Sequence, residues 1–406
     1  MKNPLRNIGP GTLVAAAFIG PGTVTVCTLA GVKFGFELLW AMALSILATI
    51  VLQEMAARLG LVSGKGLAAT VKEQIKIPWL KLAAVILIVS AILIGNAAYE
   101  AGNISGGVLG LQTNIEDASI VIGNFQLNYL SLLIGIIAFV LLFIGNYKVI
   151  ERSLVALVII MSVSFLVAAI ITNPNWISVF KGIFTPTLPS ESILMVIALV
   201  GTTVVPYNLF LHASLVQEKW NSAQHLNAAR KDLYVSIILG GLVSMAIIIC
   251  AAGIQQGEVN TAADLAKGLE PLYGSVSKYV LSLGLFAAGI TSAITAPLAA
   301  GYVARDCFGW KKDLKSANFR AVWMVILILG VVFSSIGFKS IEIIQFAQVA
   351  NGLLLPIIAG FLLWVVNKKS VLGTYKNTTL QTFLGLVIVL ATIVLGARSL
   401  YKVFLD

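Results

Sequence analysis

The chain has 406 residues, of which 59% are apolar and 11% charged, with a mean hydropathy of +0.97. This composition excludes an ordinary water-soluble globular domain. The formal net charge of +10 would suit a nucleic-acid binder, but the basic residues sit in short stretches between apolar runs, so their distribution reports membrane topology instead.

Crossing a hydrocarbon layer of ~30 Å takes about 20 apolar residues, and roughly eleven such runs are present. They cover approximately residues 10–31, 38–58, 80–103, 128–146, 151–172, 192–215, 233–254, 277–303, 318–337, 342–366 and 378–398. The expected fold class is therefore all-α integral membrane, about 11 transmembrane helices in a single domain over 1–406. The first run is too long for the apolar part of a signal peptide and no small-residue cleavage site follows, so a true span is expected there. Alternate loops collect Lys2 and Arg6, then Arg58, Lys65, Lys72 and Lys76, then Lys148 and Arg152, then Arg230 and Lys231, then Arg305, Lys311, Lys312 and Lys315, then Lys368, Lys369 and Lys376. The opposite loops carry Glu116, Asp117, Glu258, Asp264 and Glu270. The positive-inside rule then places the N-terminus in the cytoplasm and the C-terminus outside, in the plasma membrane. Cys27, Cys250 and Cys307 have no paired spacing and read as small packing residues, neither a disulfide framework nor a zinc site.

In chain order, the first run holds Gly9-Pro10-Gly11-Thr12 at its start and Gly20-Pro21-Gly22-Thr23 in its middle. Proline lacks a donor and glycine is a poor helix former, so the second copy predicts a break in mid-membrane. Backbone freed by a break cannot face lipid, which makes it a candidate binding site. Run two ends with Glu54 and Arg58 at i, i+4, a pair expected to neutralise itself near the cytoplasmic surface, with a gating role as the alternative. Run three ends in Asn96, Tyr99, Glu100 and Asn103. Glu100 is the carboxylate expected within the membrane, facing a cavity or partner, unless the helix ends early and leaves it at the interface. Runs four and five read as scaffold.

Run six carries the second expected break, where Gly201 and Pro206 bracket Thr202-Thr203-Val204-Val205 ahead of Tyr207, Asn208 and His212. Runs one and six are five helices apart, the offset of an inverted five-helix repeat with paired broken helices. The repeats are expected at about 8–173 and 190–367, with an extra helix at about 377–400. Run eight holds Gly289, Ile290, Thr291 and Ser292, a small-residue stretch that suits helix packing or cation coordination. Run ten has Gln348 and Asn351 beside Pro356, and run eleven is apolar and peripheral.

Taken together, Gly9-Pro10-Gly11, the broken Gly20-Pro21-Gly22-Thr23, Pro206-Tyr207-Asn208-Leu209-Phe210-Leu211-His212-Ala213-Ser214, Ala57-Arg58-Leu59-Gly60, and Ala287-Ala288-Gly289 leading into Thr291-Ser292 resemble the NRAMP divalent-metal transporters. The resemblance runs from about residue 9 to residue 360 and implies the LeuT fold, with substrate held between broken helices one and six. It also exposes departures. The family's first-helix motif is Asp-Pro-Gly-Asn, whose carboxylate and amide bind metal, and Gly20 and Thr23 occupy those positions. The methionine sulfur before Pro-His becomes Val205 before Pro206-Tyr207, and the helix-eight glutamine corresponds to Ile290. The third-helix acids used in proton movement fall on Asn96 and Tyr99, with Glu100 adjacent.

Transition metals are selected by carboxylate, imidazole and sulfur donors, and Mg²⁺ is ordinarily held through carboxylates. The break offers instead backbone N–H groups, a positive helix end, and hydroxyls, which suit an anion. Exchanging a carboxylate for glycine is worth about 3 kcal/mol in favour of an anion at ~5 Å and an effective dielectric near 20. The leading expectation is a carrier for a small anion, bicarbonate favoured, with Gly20, Pro21, Gly22, Thr23, Thr202, Thr203, Val205, Tyr207 and Asn208 forming the substrate site. Na⁺ is the candidate coupling ion, at Ala17, Phe18, Thr291 and Ser292. Asn96, Tyr99, Glu100 and His212 are candidates for gating or a proton path, and His212 equally suits a packed, hydrogen-bonded residue. The alternative is a divalent-metal carrier using Asn208 and the carbonyls of Gly20 and Thr202. A non-transporting sensor or scaffold leaves two broken helices unexplained. No Walker, HExxH or triad pattern points to an enzyme or ATP-driven pump. No cofactor other than Na⁺, no nucleic acid and no protein partner is expected; the partners are the transported ion and the lipid bilayer.

Overall fold

The computed structural model describes residues 19–404 except 114, 116–117, 123–124, 146–147, 221, 255–258, 311–312 and 337. The expected Na⁺ ligands Ala17 and Phe18, and the first Gly-Pro-Gly-Thr, lie outside the described residues. The helices are α1 Pro21–Phe34, α2 Leu39–Ser63, α3 Leu67–Gln74, α4 Pro78–Gln112, α5 Tyr129–Ile144, α6 Lys148–Ile171, α7 Trp176–Phe184, α8 Ile193–Thr203, α9 Pro206–Lys219, α10 Leu226–Ala252, α11 Ala262–Ala266, α12 Glu270–Tyr273, α13 Ser277–Phe308, α14 Ala317–Ser335, α15 Ser340–Val366, α16 Lys369–Leu372 and α17 Thr379–Phe404. A hairpin of β1 Ser119–Ile122 and β2 Phe125–Asn128 leads into α5, pairing Ser119 with Asn128 and Ile122 with Phe125. Among the described residues nine stretches are long and apolar enough to cross a bilayer, and α5 is a shorter apolar helix.

The polar and apolar faces sort as a bilayer demands. Leu132, Leu133, Ile136, Val140 and Phe143 of α5 and Ile159, Ile160 and Val163 of α6 stand exposed, where lipid rather than water covers them. The interior is lined by α1, α8, α9, α4, α13 and α15. Close helix approach there rests on small residues, since lipid gives no hydrophobic drive for one helix to prefer another. A Cβ on Gly289 of α13 would stand 2.5 Å from the Gly107 nitrogen of α4, and one on Gly106 would stand 2.0 Å from Cβ of Pro21.

That small-residue run, Ala101 to Gly110, changes the expected end of helix three. The helix continues to Gln112 and Glu100 is fully buried in its interior. The interfacial alternative for Glu100 is thereby corrected: glycines at 102, 106, 107 and 110 are tolerated because neighbouring helices occupy the space that side chains would fill.

Candidate functional site

The second expected break is present, and at the first a helix begins where the break is expected, at Pro21, the residues ahead of Ile19 lying outside the described ones. Gly20 is the extended residue ahead of α1 (φ −87°, ψ 179°), and no side chain caps the helix that Pro21 begins. On the other side α8 ends at Thr203, Val204 and Val205 are non-helical, and α9 starts at Pro206, again without a side-chain cap. Proline suits the first helical position, where its missing N–H would have had no intrahelical acceptor. First-turn amides have no acceptor within their own helix, and a buried helix end without a cap calls for an outside partner. Gly201 is helical, so the unwound segment is shorter than the bracket from Gly201 to Pro206 suggested.

The two breaks meet. The Thr23 and Thr202 hydroxyls are 2.9 Å apart. Pro21 rests on Gly106 of α4, which braces the first break, and Gln348 of α15 braces both. Its side-chain nitrogen would be 2.2 Å from a Cβ on Gly22, and its carbonyl oxygen 1.9 Å from a Cβ on Gly201. The φ of Gly20 is one that any residue adopts, so in this first break the demand for glycine falls on Gly22, where the missing side chain admits the Gln348 carboxamide. Gln348 stood in the sequence only as an amide near a kink. Its signal, an amide eight residues from a proline inside an apolar helix, is shared by ordinary packing amides.

The chemistry around the breaks is neutral. Thr23, Thr202, Tyr207, Asn208 and Gln348 are each no more than 2% exposed. Asn208 Oδ1 and Nδ2, the Tyr207 hydroxyl and Gln348 Oε1 have no hydrogen-bond partner, although buried polar atoms ordinarily find one. From residue 2 to residue 36 the chain holds no Asp, Glu, His or Met. No cluster of three or more His, Cys, Asp or Glu that could hold a metal ion occurs among the described residues.

Other expected residues fall differently. The Thr203 hydroxyl donates to the Leu199 carbonyl at 2.6 Å and lies 3.6 Å from Met42 Sδ, so it belongs to the α2 contact and not with Thr23. Val205 is the buried residue preceding α9. The Thr291 hydroxyl lies 3.0 Å from the Ala287 and Ala288 carbonyls of its own helix, whereas Ser292 Oγ is buried without a partner. Asn96 donates to the Ala296 carbonyl at 2.8 Å and so ties α4 to α13. Tyr99 meets Tyr207 edge-on with ring centroids 5.3 Å apart. Asn103 donates to one Glu100 oxygen at 3.3 Å, and the other oxygen has no partner. His212 Nδ1 lies 2.8 Å from Gln53 Oε1, buried, which fits its packed reading.

A second constellation lies away from the breaks. Glu54 accepts from Arg58 at 3.0 Å and from Arg230 of α10 at 2.7 Å, and Arg58 also donates to Asn377 Oδ1 at 2.6 Å and to the Tyr375 carbonyl. The expected Glu54–Arg58 pair is present, buried, and larger than a pair.

A family model described as Natural resistance-associated macrophage protein-like (Nramp) matches residues 11–402. The chain belongs to the Nramp family. Among its relatives is a divalent metal cation transporter, MntH, of Verminephrobacter eiseniae, 27% identical over 400 residues that cover 94% of this chain and 85% of the relative. In structure it is similar to a manganese transporter of Eremococcus coleocola, with a TM-score of 0.77 at 20% identity, covering 97% of this chain and 86% of the other. It is similar also to MhsT in complex with L-phenylalanine, with a TM-score of 0.58 at 15% identity over 95% of this chain and 98% of the other. The fold is thus that of the LeuT-type transporters, and the chain is a multi-pass membrane transporter of the Nramp type.

Proposed function

We propose that this Nramp-family chain is a secondary active transporter that moves a small anion by alternating access, with a compact oxyanion such as bicarbonate as the favoured cargo and Na⁺ as the driving ion. One observation carries the reading: the buried helix N-termini at the two breaks, those of α1 and α9, have no side-chain caps. Each presents the positive end of a helix dipole. Around them stand the hydroxyls of Thr23, Thr202 and Tyr207 and the amides of Asn208 and Gln348; the Met42 thioether lies against Thr203 and not with Thr23, and the Glu100 carboxylate is on α4, next to the Tyr99 that meets Tyr207. Ser292 supplies a free hydroxyl for the driving cation; the Thr291 hydroxyl is already engaged by its own helix.

The second reading is a divalent metal cation, and the relatives' names support it; none of them speaks for an anion. On that reading the ligands are Asn208 and the carbonyls of Gly20 and Thr202, an uncharged set for an ion that must shed water.

Uptake into proteoliposomes separates the two. Influx of ¹⁴C-bicarbonate that saturates and rises with an inward Na⁺ gradient is expected, with Mn²⁺ and Mg²⁺ influx at background. Saturable Mn²⁺ influx with no bicarbonate influx overturns the anion reading in favour of the second. Gly20→Asp restores one negative charge. At ~5 Å and an effective dielectric near 20 this costs a bound anion about 3 kcal/mol, or about a hundredfold in affinity. Unchanged bicarbonate uptake in that variant places the substrate elsewhere.

A further inference from the structure

Far from the breaks, a cavity of about 400 Å³ opens between the lead-in to α8, residues 188–193, and Arg398 and Tyr401 of α17. At 1.5 Å per residue, Arg398 stands roughly 29 Å along α17 from its start beside the Glu54 cluster, which puts it near the membrane boundary at the other end of the bundle.

The cavity has a shaped wall. Ser192 N–H and Oγ both donate to the Pro189 carbonyl, at 3.1 and 2.8 Å, closing a tight turn. Within that turn Glu191 holds a φ of 67°, a left-handed conformation that a side chain adopts at a cost of roughly 1–2 kcal/mol. The lining carries both signs of charge, Glu191 and Arg398. Neither takes part in any ion pair among the described residues. An acid and a base facing one cavity without closing on each other leave room for a ligand bearing the opposite charges. Tyr401 adds an aromatic ring of the kind enriched at headgroup level.

The surroundings suit a lipid. Toward the membrane interior from Arg398, steps of three or four residues reach Val394, Leu390, Val387 and Phe383, all exposed, at 64%, 52%, 46% and 60%. This row lies on one face of α17, within a wider lipid-facing apolar surface that includes Leu386 and Ile393, and it adjoins the charged cavity. A soluble zwitterion has no use for such a surface; a phospholipid has.

We propose that the cavity binds the headgroup of a zwitterionic membrane phospholipid with a primary ammonium, its phosphate on Arg398 and its ammonium on Glu191, with an acyl chain along Val394, Leu390, Val387 and Phe383. Arg398 then has the counter-charge that a guanidinium near hydrocarbon requires. The lipid joins α17, otherwise peripheral, to the turn that starts α8, eleven residues ahead of Thr203 in the second break. The proposal does not depend on which ion the breaks carry.

The test uses the full-length protein, purified and delipidated in a maltoside detergent, with thermal unfolding followed on addition of phosphatidylethanolamine, phosphatidylcholine, phosphatidylglycerol or water-soluble glycerophosphoethanolamine. Phosphatidylethanolamine is expected to raise the midpoint by about 3 °C or more, phosphatidylcholine and phosphatidylglycerol by less, and the soluble headgroup not at all. Arg398→Ala is expected to abolish the shift, Arg398→Lys to keep part of it, and Glu191→Gln to remove the preference for ethanolamine over choline. An unchanged shift in Arg398→Ala, an equal response to all three lipids, or an equal response to the soluble headgroup overturns the proposal. Both side chains line a surface cavity, so the variants are expected to fold, and a monodisperse gel-filtration peak checks this.

Discussion

Arg58→Ala is expected to lower the stability of the folded protein by about 3–5 kcal/mol, the cost of removing one partner from a buried ion pair. Arg58 is 1% exposed and Glu54 6%. The guanidinium uses Nε and Nη2 on the carboxylate and Nη1 and Nη2 on Tyr375 and Asn377. Its loss therefore unpairs two acceptors on the segment before α17 as well as half of Glu54's donors. Arg230 remains on Glu54 but is 32% exposed in its side chain, so it compensates only part of the buried charge. Arg58→Lys keeps the charge but cannot span carboxylate and carbonyl together, since an ammonium lacks the planar fork, and an intermediate loss is expected. Arg230→Ala is expected to cost less than Arg58→Ala because its partly exposed pair is screened. Unfolding midpoints of the three variants, read by tryptophan fluorescence, rank them. Equal and small losses for Arg58→Ala and Arg230→Ala would mean that the cluster holds nothing together.

This cluster also marks where sequence stops being informative. Glu54 and Arg58 are one helical turn apart, and their pairing follows from helix geometry alone. Arg230 and Asn377 lie 176 and 319 residues from their partners, and no local rule connects them. The same division holds at the breaks. Gly-Pro-Gly and Val-Val-Pro cannot continue a helix, so the start of α1 at Pro21 and the interruption between α8 and α9 are legible residue by residue. Which side chains fill the space between them is not: Thr202 and Thr203 are chemically alike, yet one hydroxyl meets Thr23 and the other its own helix and Met42. Hydropathy ended the third run at residue 103, whereas α4 continues to Gln112 past Gly106, Gly107 and Gly110, glycines whose missing side chains leave room for the helices packed against them. The β1–β2 hairpin and the short helices α3 and α7 leave no signal in the sequence, since four to nine residues give too little periodicity to stand out.

The glycines at the two breaks should separate fold from function. A Cβ at Gly201 would lie 1.9 Å from the Gln348 carbonyl oxygen and 2.8 Å from the Gly352 nitrogen. Both are backbone atoms of α15, so Gly201→Ala forces α8 and α15 apart. Overpacking of this kind costs about 1–3 kcal/mol, occasionally more, and both stability and transport are expected to fall. A Cβ at Gly22 meets instead the end of the Gln348 side chain, its nitrogen at 2.2 Å and its carbonyl carbon at 2.7 Å. That carboxamide can swing aside, so Gly22→Ala is expected to leave the unfolding midpoint within about 2 °C while moving a polar group out of the place where the breaks meet. Transport of whichever ion the liposome assay identifies is expected to drop at least tenfold, a change of about 1.4 kcal/mol in what the site offers its cargo. Gly360→Ala, with nothing within 4 Å of its Cβ, is the neutral control on the same helix as Gln348. The double variant Gly22→Ala, Gln348→Ala decides what the carboxamide does. If Gln348 only fills space, removing it makes room for the new methyl and transport returns. If its amide contacts the ion, the double variant transports no better than Gly22→Ala alone, and Gln348→Ala by itself shows the same loss at an unchanged midpoint.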